Sequence, residues 1–278
     1  MKEYNLYIRQ IVQGLLAKKR RNDGKGVVFF LGAGFSHRNG LEKSAGLGSG
    51  EELASVLGEE LEEENEKNLQ RVAEYYESMI GKADLIQHVK SYIKDMQKTQ
   101  ESHQLLSELI HLIGEPSEFI FTVNYDTLLE SYYKQKYEKD LEVWRFGDAY
   151  NNSKQIYKLH GCITAESNLI LTSEDYYKVK SNEILMKKLF SVFRENTCVF
   201  IGFKMEDNDF IDLLFNIRAN NNNLGDIKHY LILPDGGIHP MRARYLKDKF
   251  NIEHLPMKGA EFLSKVMEEF KKKVGASK

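Results

Sequence analysis

Short apolar runs alternate with amphipathic segments along most of this 278-residue chain. Continuous apolar runs are typical of buried parallel strands, whereas apolar residues spaced three and four apart indicate helices. Because strands alternate with helices, we predict an α/β fold, a Rossmann-like doubly wound and mainly parallel sheet. The predicted strands are 27–31, 118–122, 156–159, 197–201, 228–233 and 251–255; the predicted helices are about 3–20, 126–137, 182–195, 206–218, 239–250 and 260–273.

One long segment departs from this alternation. Residues 51–113 contain several stretches with an apolar stripe at helical spacing and no convincing strand. A chain of this length can bury one sizeable core. We therefore expect a single domain over 1–278 with a helical insertion at about 51–113.

Composition and charge exclude several classes of protein. The chain has 39 basic and 41 acidic residues, a net charge of −2, which makes binding to nucleic acid or to an anionic membrane unlikely for this chain alone. Its two cysteines, Cys162 and Cys198, are too few for a four-cysteine zinc site and are expected to be core thiols. No apolar run approaches the roughly 18 residues that span a bilayer, so we expect no membrane association and a cytoplasmic location.

The first strand runs directly into a glycine turn. VVFFL is followed by Gly32, Ala33, Gly34, Phe35 and Ser36. A strand that delivers such a turn to the start of a helix can hold a phosphate on bare backbone N–H groups. The glycines could instead serve only to let strand and helix pack closely. A nucleotide is the first ligand to consider.

Polar or small residues also follow three later strands. Thr122, Asn124 and Asp126 close the second strand, His160 follows the third, and Gly202 follows the fourth. The carboxyl ends of parallel strands share one edge, so four strand ends are expected to line one crevice. Asp126 could simply cap the next helix and Asn124 could be a turn residue. A histidine beside a glycine at such a crevice favours catalysis over a structural role.

The motifs GAGFS, FTVNYD, YKLHG and FIGFKMEDNDF, in this order, resemble the Sir2 fold in its bacterial Sir2-like branch. Residues 46–53 are similar to that family's GLPSWxEL segment, and residues 171–176 to the segment that follows its HG pair. The resemblance covers most of the chain and implies an NAD-binding fold. It implies that the diphosphate and adjacent ribose lie against Gly32, Ala33, Gly34, Phe35 and Ser36; the nicotinamide end against Thr122, Asn124, Asp126 and His160; and the adenosine half against Gly202, Phe203, Lys204 and Asp207.

Departures from the family pattern matter as well. The zinc-ribbon cysteines of the deacetylases are missing, so no zinc and no acetyl-lysine peptide groove are expected. Gly48 and Gly50 occupy positions that are usually proline and tryptophan, which suggests a looser pocket wall or one completed by another chain. Lys204 replaces a common serine, and its ammonium could reach a ligand phosphate or lie in solvent.

The chemistry expected from this resemblance is cleavage of the N-glycosidic bond of NAD. Asn124 can hold a water or the ribose hydroxyls, His160 can accept a proton, and Asp126 can orient groups or stabilise charge. With water as the acceptor, the chain is predicted to be an NAD glycohydrolase. In the resembling family such enzymes commonly serve antiphage defence, and we expect gating by homo-oligomerisation, a separate partner protein, or both.

Other functions remain open at this stage. A module that senses NAD or ADP-ribose without turnover would use the same pocket, and a deacylase or ADP-ribosyltransferase would transfer to a protein acceptor. A nuclease would need metal ligands, for which Asp207, Asp209 and Asp212 could be considered. Their position at the start of a helix favours capping instead.

Overall fold

The structure is a computed structural model, and it describes residues 2–21, 26–38, 47–62, 65–151, 153–165, 169–205, 208–219 and 227–275. The helices are α1 (Lys2–Arg21), α2 (Ala33–Ser36), α3 (Gly50–Glu60), α4 (Leu69–Met79), α5 (Lys82–Met96), α6 (Glu101–Ile113), α7 (Leu128–Tyr137), α8 (Ser173–Ser181), α9 (Glu183–Glu195), α10 (Asn208–Ala219), α11 (Pro240–Phe250) and α12 (Gly259–Gly275). The strands are β1 (Val27–Leu31), β2 (Ile120–Thr122), β3 (Val143–Arg145), β4 (Ile156–Lys158), β5 (Thr197–Ile201), β6 (His229–Leu233) and β7 (Ile252–Pro256).

All strands of the sheet are parallel, and β1 lies near its middle. The order is β3-β4-β2-β1-β5-β6-β7. Strands β2, β3 and β4 lie on one side of β1, with β4 between β2 and the edge strand β3, and β5, β6 and β7 follow in order on the other side. The strand order therefore reverses between β1 and β5. This confirms the predicted doubly wound α/β class. The edge strand β3 and helix α8 were not among the predicted elements.

Side chains of the strands alternate between two core layers. On β1, Phe29 packs with helices α1, α6, α7 and α12, whereas Phe30 packs with α9, α10 and α11. Phe30 centres an aromatic cluster, with ring centroids 5.1 Å from those of Phe121, Phe193 and Phe200. Because β1 is buried on both faces, it reads in the sequence as a continuous apolar run.

The segment predicted as a helical insertion contains α3, α4, α5 and α6. Helices α3, α4 and α5 form a third apolar core, which is completed by Leu169 and Leu171. Helix α6 packs instead against the sheet through Leu106 and Ile110. Helices α3–α5 thus have a core of their own, and α6 is one of the helices that cover the sheet. None of the described helices combines the length and apolar composition needed to cross a bilayer.

His229 is fully buried at the start of β6. Its Nδ1 accepts a hydrogen bond from the backbone N–H of Cys198 on β5 at 3.0 Å. Phe193 contacts the ring edge-on, with 5.8 Å between centroids. Burial lowers the pKa of His229 to about 4 because a charged imidazolium is costly in this apolar layer.

Stability is expected to fall in mild acid because of this histidine. The unfolded chain, with a histidine pKa near 6.5, binds more protons than the folded chain between pH 6.5 and 4. The free energy of unfolding should therefore decrease by roughly 2–3 kcal/mol from pH 7.5 to 4.5 through His229 alone. Urea unfolding of the wild type and of His229→Gln, which keeps an acceptor for Cys198, measures this contribution. Equal pH dependence in the two proteins would contradict it.

Candidate functional site

The structure brings four of the predicted strand ends together. Strands β4, β2, β1 and β5 are consecutive in the sheet and parallel, so the residues that follow them lie along one edge. Thr122 and Lys158 are register partners on β2 and β4. Asn124 and His160 each follow their partner by two residues, which sets them at corresponding positions on neighbouring strand ends.

The glycines of the first turn are required by backbone packing. Gly34 N–H donates to Gly202 O, and Gly32 N–H donates to Ile201 O, both at 3.0 Å. A Cβ on Gly34 would lie 2.9 Å from the Cα of Gly202. A Cβ on Gly202, which has a φ of +66°, would lie 2.3 Å from the backbone nitrogen of Phe35. The close-packing interpretation thus accounts for these glycines, and the N–H groups of Gly32 and Gly34 are already bonded within the protein.

Other groups of this turn are available to a ligand. Ala33 and Gly34 are exposed, whereas Phe35 and Ser36 are buried. The N–H of Ala33, the first residue of α2, has no acceptor within its own helix. The sequence predicted that several N–H groups of this turn would bind a phosphate. Because the N–H groups of Gly32 and Gly34 are already bonded, the exposed backbone at Ala33 is the part of this turn to which that prediction still applies.

Ser36 joins the turn to the residues after β2. Its hydroxyl oxygen lies 3.2 Å from Asn124 Nδ2, which donates to it, and 3.1 Å from His103 Nε2. Ser36 is 2% exposed and Asn124 is half-buried. The backbone N–H of Asn124 is in turn held by Thr122 Oγ1 at 3.0 Å. Asn124 is therefore held both at its backbone N–H and at its side-chain amide.

His103 on α6 is the member of this group that sequence reasoning missed. Its Nδ1 accepts the backbone N–H of Gln100 at 3.0 Å, so in the neutral ring the proton is on Nε2 and is donated to Ser36. With Asn124 donating as well, Ser36 Oγ accepts two hydrogen bonds and its own hydrogen is left to donate. Burial lowers the pKa of His103, and the nearby charge of Asp126 offsets only part of this effect.

A signal for His103 was present in the sequence. The residue lies on the same helix face as Leu106 and Ile110, three and seven positions later, and this face packs against the sheet. A polar residue on an apolar helical stripe needs a buried hydrogen-bond partner. The identity of that partner depends on the tertiary fold, because Ser36 is 67 positions away.

Thr122 and Asp126 fix the backbone around Asn124. Thr122 Oγ1 donates to Leu31 O at 3.0 Å, which ties the end of β2 to the end of β1. Asp126 is buried, and its Oδ1 accepts the backbone N–H of Leu128 at 3.0 Å at the start of α7. Asp126 therefore makes the hydrogen bond expected of a residue that caps the start of α7.

His160 is half-buried at the end of β4. Its ring meets Tyr176 of α8 edge-on, with 5.1 Å between centroids. Its backbone oxygen accepts the N–H of Ile170 at 3.0 Å. The histidine is therefore held from the side of α8 and by the loop that follows it.

The residues after β5 differ in their surroundings. Phe203 is buried, with its ring centroid 4.8 Å from that of Phe210, so its side chain contributes to the core. Lys204 is exposed, as expected for a side chain that lies in solvent. Asp207 lies outside the described residues, as do residue 46 and the side chain of Asp209.

A cavity of about 500 Å³ lies beside the glycine turn. It is bounded by the turn itself, the start of α6 and the start of α12. Its α12 wall lies beside the end of β5, since a Cβ on Gly259 would be 2.8 Å from Ile201 Cγ2. Its α6 wall is formed by the residues just before His103. Sequence reasoning named no residue of the α12 side. The lining of the cavity includes Gly34, Phe35, Glu101, Ser102, Lys258 and Ala260.

Within the described part of the chain, no group of three or more histidine, cysteine or acidic side chains is arranged to hold a metal ion. Cys162 and Cys198 are both buried and free. Burial raises the pKa of Cys198 well above its ordinary value. Cys162 Sγ lies 3.2 Å from Thr164 Oγ1. These surroundings agree with the interpretation of both residues as core thiols.

Comparison with known proteins gives two findings. Residues 118–255 match the SIR2-like domain family. A protein named NAD(+) hydrolase ThsA from Cytobacillus dafuensis is 30% identical over 199 residues, which cover 68% of this chain and 37% of that protein. Proteins of the same name from Enterococcus faecium and Bacillus cereus (strain MSX-D12) are 27% and 26% identical and cover 64% and 68% of this chain. The matched region is under two fifths of the length of each relative.

The hydrogen bonds around Ser36 predict the protonation state of His103. We expect a neutral ring with the proton on Nε2 at pH 6.5, since burial lowers its pKa below the ordinary value. Nitrogen chemical shifts of the imidazole, measured by NMR from pH 5 to 8, report both the tautomer and the titration. A proton on Nδ1, or half-protonation at pH 6.5 or above, would contradict the assignment.

Proposed function

We propose that this chain, which carries a SIR2-like domain over residues 118–255, hydrolyses NAD to nicotinamide and ADP-ribose. The observation that carries the proposal is the pair Asn124 and His160 on neighbouring strand ends, with Asn124 fixed through Ser36 to the glycine turn. The similarity to proteins named NAD(+) hydrolase supports the same reaction.

Cleavage of the N-glycosidic bond of NAD requires positioning of the reactants more than strong acid catalysis. Nicotinamide leaves as a neutral molecule from a cationic ring, and the ribose carbon gains positive charge as the bond lengthens. Asn124 offers an amide that can hold the ribose or the attacking water. His160 accepts the proton that the water loses, for which an imidazole is suited near neutral pH.

Two further groups shape this end of the proposed site. The hydroxyl hydrogen that Ser36 retains can be donated to a ribose oxygen beside Asn124. The carboxylate of Asp126 is buried behind the loop and adds negative charge near the developing cation. We assign Asp126 to orientation and charge stabilisation, together with its bond to the start of α7.

The cavity beside Gly34 suits the other half of the dinucleotide. Dinucleotides lie across the crevice where the strand order reverses, which here is between β1 and β5. If the nicotinamide end is over β2 and β4 and the diphosphate at Ala33, the adenosine lies towards α12. The cavity volume of about 500 Å³ is within the range of small-molecule sites.

We extend the proposal to the biological role of the Sir2-like branch that the motifs resemble, antiphage defence by depletion of NAD. An enzyme that destroyed NAD constantly would harm its own cell. Its activity in the cytoplasm is therefore gated, through homo-oligomerisation, a separate defence partner, or both.

The first test is release of nicotinamide and ADP-ribose from NAD by the purified chain at several protein concentrations. His160→Ala and Asn124→Ala should each lower kcat by at least about 100-fold, in the range expected for loss of acid–base catalysis or positioning. His111→Ala is the matched control, since that exposed histidine stacks on Tyr137 away from the crevice. Near wild-type hydrolysis by either site variant would remove its assigned role, and NAD binding without release would leave a sensor or a partner-activated enzyme.

The adenosine assignment has its own test. Ala260→Tyr should fill part of the cavity and raise KM for NAD about tenfold, because it blocks binding without touching the reacting end. The expected kcat is close to that of the wild type. Lys272→Tyr, at an exposed position in the last turns of the same helix, is the control. An unchanged KM in Ala260→Tyr would place the adenosine elsewhere.

A further inference from the structure

Lys158 is a charged residue that the proposed reaction leaves unexplained. It is the last residue of β4, two positions before His160, and it is 2% exposed. Burial disfavours its charge, but nearby acidic groups outweigh this effect, Glu130 foremost, and raise the pKa of Lys158. The site therefore contains a buried ammonium group that remains charged.

The contacts of this ammonium group lead to the loop that carries Asn124. Lys158 Nζ lies 3.0 Å from Glu130 Oε1 on α7. It also donates to the backbone oxygen of Asp126, at the end of the same loop. One side chain thus bonds both to the loop after β2 and to the helix that follows it.

A second set of bonds links the loop that carries Asn124 to the segment that follows His160. Tyr125 OH donates to Ile170 O at 2.7 Å, and Ile170 N–H donates to the backbone oxygen of His160 at 3.0 Å. The N–H of Ile163 donates to Tyr125 O at 3.0 Å. The loop that carries Asn124 is therefore bonded both to the segment after His160, through Tyr125, and to the last residue of β4, Lys158.

We infer that Lys158, paired with Glu130, is a positioning residue that holds the Asn124 loop at a fixed distance from His160. The inference rests on the proposed function, because the two positioned side chains are those assigned to NAD cleavage. Lys158 acts through the backbone of Asp126 and touches no reacting atom.

The energetics of a buried ion pair favour positioning over stability as the role of Lys158 and Glu130. A buried ion pair loses hydration on both partners, and replacing the whole pair by apolar side chains is often neutral or stabilising. Removing one partner alone leaves a buried charge without compensation and is strongly destabilising. A bond from a charged donor to a backbone oxygen, however, fixes a loop in a way that an apolar side chain cannot reproduce.

The test therefore separates stability from activity in two variants. Lys158→Met should lower the thermal midpoint, because it leaves Glu130 unpaired. The double variant Lys158→Met with Glu130→Leu should recover the midpoint but still show a kcat about 100-fold below the wild type, with little change in KM. Lys18→Met is the matched control, since Lys18 is equally buried and donates to the backbone oxygen of Glu118.

The results distinguish failure of the inference from failure of the proposed function. Hydrolysis at the wild-type rate in the stable double variant would overturn the inference and leave the proposed function intact. If the wild type alone releases no nicotinamide at any protein concentration, hydrolysis by the isolated chain fails, and the NMR resonances of the Asn124 side-chain amide and the His160 ring decide the inference. Shifted resonances for both groups in the double variant and not in Lys18→Met support positioning, whereas unchanged resonances overturn it.

Discussion

The rest of the site depends on one close approach between two backbones. The turn after β1 and the turn after β5 bond through Gly34 N–H and Gly202 O, at a distance that leaves no room for a Cβ on either glycine. This contact sets the start of α2 and with it the position of Ser36. Asn124 and His103 both bond to that hydroxyl, so two further elements of the fold are located by the same contact. The strand reversal between β1 and β5 is what brings the two turns together.

Polar groups at this edge of the sheet are arranged in connected chains. Thr122 bonds to the end of β1 and to the backbone of Asn124, and His103 bonds to the first turn of its own helix and to Ser36. A buried polar group without a partner costs free energy, and each of these groups has its partner in another element. The consequence is a set of side chains with fixed orientations before any ligand arrives, which is the arrangement that a positioning mechanism requires.

The sequence predicts the central part of the fold because burial there leaves a local trace. Strands β1 and β5 are long apolar runs with buried residues on both faces. Strand β3 is at a sheet edge and only its middle residue is buried, so it leaves no such run. The strand ends that carry Asn124 and His160 could be identified for the same reason. The bonding partners of His103 and Lys158 could not be identified, because they are distant in sequence, although His103 itself is recognisable as a polar residue on an apolar helical stripe. The packing partner of α6 could not be predicted either, since its amphipathic pattern is the same whether it packs on the sheet or on α5.

The third core has a consequence for the order in which the chain can fold. Helices α3, α4 and α5 surround an apolar interior that Leu169 and Leu171 complete, and these two residues follow β4. A ribosome produces the three helices well before it produces those leucines. The helices therefore leave the ribosome with part of their apolar interior open, and they finish packing only after β2 and β4 have been synthesised. The segment after His160 thus supplies the last residues of the third core. Packing of α3–α5 is therefore coupled to formation of the strand end that carries His160.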